Sequence, residues 1–401
     1  MTRRRRFLII SLTGASALLL VACLGLCSLY PAGVRAESEG EIALAKASGL
    51  PTTLEEIPLR RVSPQDDARP FYMRAMRLAK AEHISTLEKG FNSPATQAEI
   101  EKAYLILPAA KPWLDLVEAG ARKPACSWTR NYQRDGYLYP DDDLRFLRLA
   151  AKGLAILARV YDDAGQHDKA LRTIALIYSM DRQVNQGPTF IDKVAAIGLQ
   201  RIALRALRRS LFVGANPVEV ERLALYGAEI PNWQEGYKTD FVIGLSGLQK
   251  GMLPYSYDAR SKKLEALLST FGIKAAIIMA YVKPYRKAWE RFGPAPGDPR
   301  RIQRTLEQWK TEMPNTPGPL GDLERYVSEP FSDTFGDSWG RFLADRLIVA
   351  DAARIRCGKP PRQLDPFTGK PFRREDKNGK RYLWSPGPTS SVKDDLMASL
   401  P

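Results

Sequence analysis

"DDDLRFLRLAAKGLAILARVYDDAGQHDKALRTIALIY", residues 141–178, decides the fold class of this chain. Its first half places Leu147, Ala151, Leu154, Ala158 and Tyr161 at steps of four and three, the spacing of one face of an α-helix. A second apolar stripe follows over 170–178, after the short glycine-containing turn. Two amphipathic helices joined by so short a turn pack antiparallel, so the stretch predicts a helical hairpin.

The same residues, in the form "LARVYDDAGQHDKALRTIALIY", resemble one tetratricopeptide unit. A helical solenoid needs about three such units for stability. Only one convincing unit occurs, without a fixed repeat period. We therefore predict a mainly α fold: an irregular bundle of amphipathic helical hairpins with a tetratricopeptide-like pair in the middle.

Start and stop signals extend the helical prediction over residues 71–358. "NPVEVERLALYG" has Asn216 as N-cap, Pro217 at the first helical position and Gly227 at the end. We also expect a helix over 71–91, and a second helix that is capped by Ser93 and divided by Pro108 and Pro112. A further helix should start at "GPTF". Residues 231–260 are expected to form loops with a short helix, and a core helix that follows them should break near Pro284.

The C-terminal stretch "DPFTGKPFRREDKNGKRYLWSPGP" changes from helical to β-type signals. Asn378-Gly379 favours a two-residue hairpin turn because both residues accept positive φ. An isolated ribbon is barely stable in water, so we expect this β-hairpin to pack on the helix ending at Cys357.

The N-terminus carries Arg3–Arg6 before an apolar run from Phe7 to Tyr30. At ~1.5 Å per residue this run could cross a bilayer core of ~30 Å, with the arginines in the cytoplasm. Three fates stay open: an uncleaved membrane anchor, a lipoprotein with lipid on Cys23, or cleavage after Ala36 that leaves a periplasmic protein. The arginine run is also compatible with a twin-arginine export signal.

The chain has 401 residues, is 26% charged and has a formal net charge of +15. For an exported domain this favours anionic lipid headgroups or anionic envelope polymers as partners, rather than nucleic acid. Arg201, Arg205 and Arg208 fall on one helix face at spacings of four and three. This stripe is either a solvated face or an anion-binding surface.

Candidate chemistry is sparse. Of the two histidines, His83 is expected to be exposed and His167 to lie in an inter-helix turn. Neither belongs to a zinc pattern. Nucleotide-binding loops and a nucleophile elbow do not occur. The sequence indicates no catalytic set and no cofactor. Cys126 and Cys357 are either a disulfide of the exported part or two separate buried thiols.

Two stretches resemble an uncharacterised planctomycete-type group of exported or membrane-anchored bacterial helical proteins. They are "KPACSWTRNYQRDGYLYPDDDLRFLRLAAKGLAILARVYDDAGQHDKALRTIALIYSM" and the ending with its D-P-F-x-G-K-P motif and hairpin. The resemblance covers about two thirds of the chain and implies location and architecture, without an activity. The segment before the motif is shorter here, and "LMASLP" replaces the usual final glycines.

The ending also resembles the last strands of type II secretion pseudopilins, in which an acidic loop can hold calcium. By that analogy Asp365, Asp394 and Asp395 are candidate calcium ligands, because carboxylate oxygens suit Ca²⁺. The alternative is a solvated acidic tail. No pilin-type processing site precedes the apolar run, which disfavours a pilus subunit.

We expect four regions: a signal or anchor over 1–36, a polar stalk over 37–70, a helical domain over 71–358, and a C-terminal hairpin with an acidic tail over 359–401. The predicted function is non-catalytic binding or scaffolding in the cell envelope, on the outer side of the inner membrane. Alternatives are a wall-active hydrolase with paired carboxylates, or an accessory part of a secretion or pseudopilus-like system.

Overall fold

The computed structural model describes residues 33–57, 61–92, 95–128, 142–227, 229–250, 273–293, 333–377, 380–385 and 396–399. Residues 33–47 are helical, and a 3-10 turn follows at Leu54–Glu56. The main helices are α1 (Arg69–Leu78), α2 (Ala81–Phe91), α3 (Gln97–Ala121), α4 (Asp142–Asp163), α5 (His167–Asn185), α6 (Phe190–Val213), α7 (Pro217–Tyr226), α8 (Trp233–Gln249), α9 (Ile273–Phe292) and α10 (Asp333–Arg356).

Helices α4, α5 and α6 form the centre of the molecule, and each of them contacts the other two. Gly165 has φ of +70° in the turn between α4 and α5, a backbone conformation that glycine adopts without a steric penalty. The residues of the α4 stripe, including Leu147 and Leu154, are buried. The predicted helical hairpin, and with it the mainly α fold, is confirmed.

Helix α6 begins at the predicted "GPTF" because Thr189 and Asp192 cap it reciprocally. The Thr189 hydroxyl accepts from the backbone N–H of Asp192, while the Asp192 carboxylate accepts from the Thr189 backbone at 2.9 Å and hydroxyl at 2.6 Å. The predicted caps of α7 are also confirmed, since the Asn216 side chain accepts from Val218 N–H at 3.0 Å and Gly227 is the C-cap.

Three helix boundaries differ from the prediction. The expected helix over 71–91 is two helices, because Ala79 and Lys80 have extended backbone. The N-cap of α3 is Thr96, which makes a capping box with Glu99, and not Ser93. Residues 233–249 form the continuous 17-residue helix α8, where loops with a short helix were expected.

Three prolines lie inside helices that continue past them. Pro108 and Pro112 are within α3, and Pro284 is within α9. The predicted divisions at these residues are therefore wrong. In α3 both proline rings lie on the exposed face, so the carbonyl groups that lose their helical N–H partners are on the side where water can hydrogen-bond them.

Aromatic side chains join α8 to α9. The rings of Tyr237 and Tyr285 stack at 4.4 Å, and those of Phe241 and Tyr281 at 5.9 Å. The Tyr237 hydroxyl donates to the Tyr285 carbonyl at 3.0 Å. These buried rings make α8 part of the core, which the glycine-rich sequence of the segment did not suggest.

The predicted stalk is packed against the helical bundle. Ala45 and Leu50 are buried in the main core, and Trp289 Nε1 donates to the Ser48 carbonyl at 2.8 Å. Arg286 binds Glu41 at 2.9 Å, with both side chains largely buried. The segment is polar because only one of its faces contacts α9.

The C-terminal strands β1 (Arg373–Lys377), β2 (Lys380–Ser385) and β3 (Leu396–Ser399) form an antiparallel sheet in the order β1-β2-β3. Lys377 pairs with Lys380, so two residues connect β1 to β2, as predicted. The third strand occupies part of the expected acidic tail. As predicted, the sheet lies on the last long helix: β2 and β3 contact α10, and Leu383 is buried.

Candidate functional site

The D-P-F-T-G-K motif folds into a closed turn around Asp365. Its buried carboxylate accepts from the backbone N–H of Phe367 at 2.9 Å and from the Thr368 hydroxyl at 3.0 Å. Gly369, at φ of +68°, donates to the Asp365 carbonyl at 2.7 Å. The motif thus has a structural role that accounts for its residue types: each polar group of Asp365 stabilises the turn.

Other predicted site residues are placed apart or not described. Asp394, Asp395 and Cys23 lie outside the described residues. Within the described ranges no three His, Cys, Asp or Glu side chains are close enough to hold a metal ion. Over the same ranges, no helix combines the length and apolar character that a membrane span needs.

The structure does not join Cys126 to Cys357. Cys126 is buried in the core cluster beyond the end of α3, whereas Cys357 is half-buried after the last turn of α10. This arrangement corresponds to the alternative of two separate thiols.

Neither histidine belongs to a metal-ligating cluster among the described residues. His83 is buried in α2 and not exposed as predicted. His167 begins α5, and its Nδ1 lies 3.0 Å from Asp162, whose other oxygen accepts from the Ser210 hydroxyl at 2.5 Å. This contact ties the α4–α5 turn to α6.

The arginines of α6 face a matching set of cations on α4. Arg201, Arg205, Arg208 and Arg209 come from α6. Arg148, Lys152 and Arg159 come from one side of α4, at spacings of four and seven. These seven side chains line two cavities of about 430 and 340 Å³, which share Phe91, Arg205 and Arg208. We call this surface the arginine groove.

Three of the seven cations are neutralised by neighbouring acids. Lys152 binds Glu88 at 2.5 Å, Arg208 binds Asp345 at 2.6 Å, and Arg209 binds Asp163 at 2.5 Å. Among the described residues, the other four (Arg148, Arg159, Arg201 and Arg205) form no ion pair. The groove therefore keeps an excess of positive charge that is available to an anion.

Aromatic rings line the groove between the guanidinium groups. Arg205 lies over the Phe91 ring at 4.7 Å and Arg159 over the Tyr104 ring at 6.0 Å. Tyr382 of β2 and the exposed Phe212 complete the wall of the larger cavity. These contacts hold the arginines in position, because a stacked guanidinium loses less freedom when it binds a ligand.

The electrostatics of the groove favour a bound anion. Burial, followed by the charges of Arg208 and Arg159, lowers the pKa of the Arg205 guanidinium. An arginine nevertheless stays protonated, so the crowded positive charge persists at neutral pH. The Nε atoms of Arg159, Arg208 and Arg209 are buried and lack a hydrogen-bond partner in the described part of the chain. A ligand carrying several negatively charged oxygens would reduce the repulsion among the guanidinium groups.

Only one side of the groove is predicted from the sequence. The spacing of Arg201, Arg205 and Arg208 indicates a basic helix face, whereas the prediction for α4 rests on its apolar residues. The basic positions 148, 152 and 159 are a detectable signal, since they share one side of the helix, roughly 120° from its apolar stripe. Their meeting with α6 depends on how the two helices cross.

Paired carboxylates of the glycosidase type are not found among the described cavities. Buried Asp162, Asp181 and Asp192 each accept hydrogen bonds from protein groups in the bundle. Glu56 and Glu235 line a separate cavity, but both are exposed. No family model, curated protein or solved structure matches the chain.

Proposed function

We propose that this chain is a non-catalytic binding protein of the bacterial cell envelope that holds an anionic polymer in the arginine groove. The observation that carries the proposal is the meeting of cations from α4 and α6 over two adjoining cavities. Four of these cations have no acid partner among the described residues. An extended polyanion, unlike a single phosphate, could contact all four at once.

Guanidinium groups suit this ligand class because they bind phosphate and carboxylate oxygens through two parallel hydrogen bonds. The aromatic rings beside them could pack against the apolar faces of a polymer backbone. Without the four charges of Arg3–Arg6, the formal net charge of +15 falls to +11, which still adds long-range attraction to the same ligand.

The decisive experiment measures binding of inorganic polyphosphate to the Arg201→Gln/Arg205→Gln protein by titration calorimetry. We expect affinity to fall at least about tenfold at physiological salt, because two charge-assisted contacts are lost. The dependence of log affinity on log salt should weaken by about one unit per lost contact.

Arg74→Gln/Arg172→Gln is the matched control. It removes the same charge from exposed positions on α1 and α5, away from the groove. Affinity close to wild type is expected for this control. Equal losses in both double variants would show that net charge, and not the groove, binds the polymer, and the proposal would be rejected.

The proposal includes the location indicated by the N-terminal sequence: the groove-bearing part faces outward from the inner membrane. It is supported by the arginine cluster before the apolar run and by the resemblance to exported bacterial proteins. Mass spectrometry of the mature N-terminus separates the three fates: an intact arginine cluster means an anchor, lipid on Cys23 a lipoprotein, and a start at Glu37 a periplasmic protein. Intact, unlipidated protein in the cytosol would contradict this part of the proposal.

A further inference from the structure

A second cavity, distinct from the arginine groove, lies between the N-terminal segment, the turn that joins α5 to α6, and α8. Its volume is about 590 Å³, within the ~300–1,000 Å³ range of small-molecule sites. We call it the lysine cavity, after Lys46, Lys193 and Lys238, which line it together with Glu235. It shares no lining residue with the groove.

Two acceptor oxygens in the lining are unsatisfied. Asn185 Oδ1 and Gln186 Oε1 are buried atoms without a hydrogen-bond partner in the described structure. The Gln186 amide nitrogen donates to the Pro124 carbonyl at 3.3 Å, which leaves its oxygen as the unused atom. Buried acceptors of this kind cost free energy until a donor reaches them. Both oxygens have almost no accessible surface, so a donor in the cavity reaches them when the Asn185 and Gln186 side chains rotate toward it.

Charges of both signs line the same space. Within the described chain, Lys46, Lys193, Lys238 and Glu235 form no ion pair. Lys193 Nζ donates to the Asn185 carbonyl at 2.5 Å, which leaves two of its protons for a ligand. Lys238 Nζ is held 4.8 Å over the Trp289 ring. Glu56 also lines the cavity, but its carboxylate is used by the backbone N–H groups of Thr52 and Thr53.

Burial lowers the pKa of Lys193, and the nearby carboxylates of Glu235 and Asp192 oppose this shift. Glu235 is thus close enough to act on the charge of Lys193, although the two form no ion pair. A ligand between them, with a positive group toward Glu235 and a negative group toward Lys193, would make a favourable charge contact with each.

From this arrangement we propose that the lysine cavity binds a small zwitterion, an α-amino acid or a short peptide with free ends. The ligand ammonium donates to Glu235 and, once their side chains rotate toward the cavity, to Asn185 Oδ1 and Gln186 Oε1. The ligand carboxylate accepts from the lysine ammonium groups. Leu50 and Ile57 supply an apolar wall for small side chains.

The test compares alanyl-alanine with its two blocked forms, N-acetyl-alanyl-alanine and alanyl-alanine amide, on the full chain by titration calorimetry. The free dipeptide should bind, and each blocked form should bind at least about tenfold more weakly because it lacks one charged end. Equal affinity for all three peptides, or no binding of the free dipeptide at millimolar concentration, would overturn the proposal.

Variants then assign the two ends. Glu235→Gln should weaken the free dipeptide about tenfold but leave the affinity for the N-acetylated peptide unchanged. Lys46→Met, at an exposed position that folding does not require, should affect the amide less than the free dipeptide. Glu82→Gln and Lys102→Met, exposed elsewhere, are the controls. If Glu235→Gln weakens all three peptides equally, the assignment of the ammonium end is wrong. The result does not depend on the groove, because polyphosphate binding reports on that surface separately.

Discussion

At the scale of single residues, polar side chains connect segments that are distant in sequence. Asp67 is an example: its carboxylate accepts from the backbone N–H and the hydroxyl of Ser127, at 2.8 and 2.5 Å, and from Arg69 N–H at 3.0 Å. Ala68 N–H donates to the Ala125 carbonyl at 2.9 Å beside it. One carboxylate thereby holds the start of α1 against the chain that leaves α3.

These contacts predict a pH-dependent contribution to stability. Burial opposes ionisation of Asp67, but the hydrogen bonds from Ser127 and Arg69 outweigh it, so the pKa is lowered. Because the folded pKa is below the unfolded value, the stabilisation is present above the unfolded pKa and is lost as pH falls through the folded one. Asp67→Asn should reduce the free energy of unfolding by about 1 kcal/mol at pH 7, a modest value because the group is partly exposed.

Urea denaturation at pH 7 and at acidic pH measures this effect. Asp66→Asn is the control, because that neighbouring side chain is exposed and, among the described residues, accepts from Ser63 alone. The free energies of unfolding of Asp67→Asn and wild type should converge below the folded pKa of Asp67. An unchanged difference at that pH would contradict the interpretation.

At the scale of helices, tertiary packing overrides local preference in α3. Proline inside a helix removes a hydrogen bond and costs up to about 3 kcal/mol. Pro108 and Pro112 are nevertheless tolerated, because the opposite face of α3 buries Trp113, Leu114 and Val117. The core contacts of α3 offset the lost backbone bonds.

Replacing an exposed proline of α3 should therefore stabilise the protein. For Pro108→Ala we expect a gain of about 1–2 kcal/mol, since a helix bond is regained while the unfolded chain becomes somewhat more flexible. Pro217→Ala is the matched control, because proline at the first position of α7 breaks no helix bond. Thermal melting of both variants decides the question: a lower melting temperature for Pro108→Ala would mean that the bundle requires a bent α3.

Replacing glycine by alanine should change the stability of the protein in opposite directions at two helix positions. A Cβ on Gly236 of α8 would lie 2.7 Å from Phe190 Cα, whereas a Cβ on Gly198 of α6 meets nothing within 4 Å. Gly236→Ala should destabilise by about 1–3 kcal/mol through this backbone clash. Gly198→Ala should stabilise by about 0.5–1 kcal/mol through helix propensity. Urea denaturation midpoints of both variants measure these effects. If both midpoints shift in the same direction, α8 does not approach α6 as closely as described.

At the scale of the whole molecule, the N-terminal segment is part of the core rather than a spacer. The Glu41–Arg286 pair links residues 245 positions apart, and their side chains are only 12% and 13% exposed. Two hydrogen bonds reach the same Glu41 oxygen from Arg286, at 3.0 and 2.9 Å. Arg286 also binds Glu290 at 2.7 Å, so it keeps one acid partner when Glu41 is removed.

We expect Glu41→Gln to reduce the free energy of unfolding by about 1–2 kcal/mol, because a largely buried ion pair is lost while Arg286 keeps Glu290. Glu39→Gln, two residues earlier, breaks the exposed pair with Arg35 and should change it by less than about 0.5 kcal/mol. In a double-mutant cycle, Glu41→Gln with Arg286→Met should cost less than the two single changes added together. Additive effects would mean that the segment is not held by this pair.

The sequence by itself determined the helical class, the α4–α5 hairpin, the caps of α7 and the two-residue β-turn. Each of these is set by residues within a few positions of one another: apolar side chains at helical spacing, Asn216 with Gly227, and the connection between Lys377 and Lys380. Local backbone geometry and burial of one helix face suffice to specify such features.

Only the tertiary structure decided the continuity of α3 and α8, the docking of residues 33–57 and the arginine groove. These features depend on energies between segments far apart in sequence, such as the aromatic contacts of α8 with α9. The stripe at Arg201, Arg205 and Arg208 shows the boundary most directly. The spacing of these arginines can be recognised on one helix. Whether they face water or a second row of cations depends on how α4 crosses α6, and that crossing results from packing in the shared core.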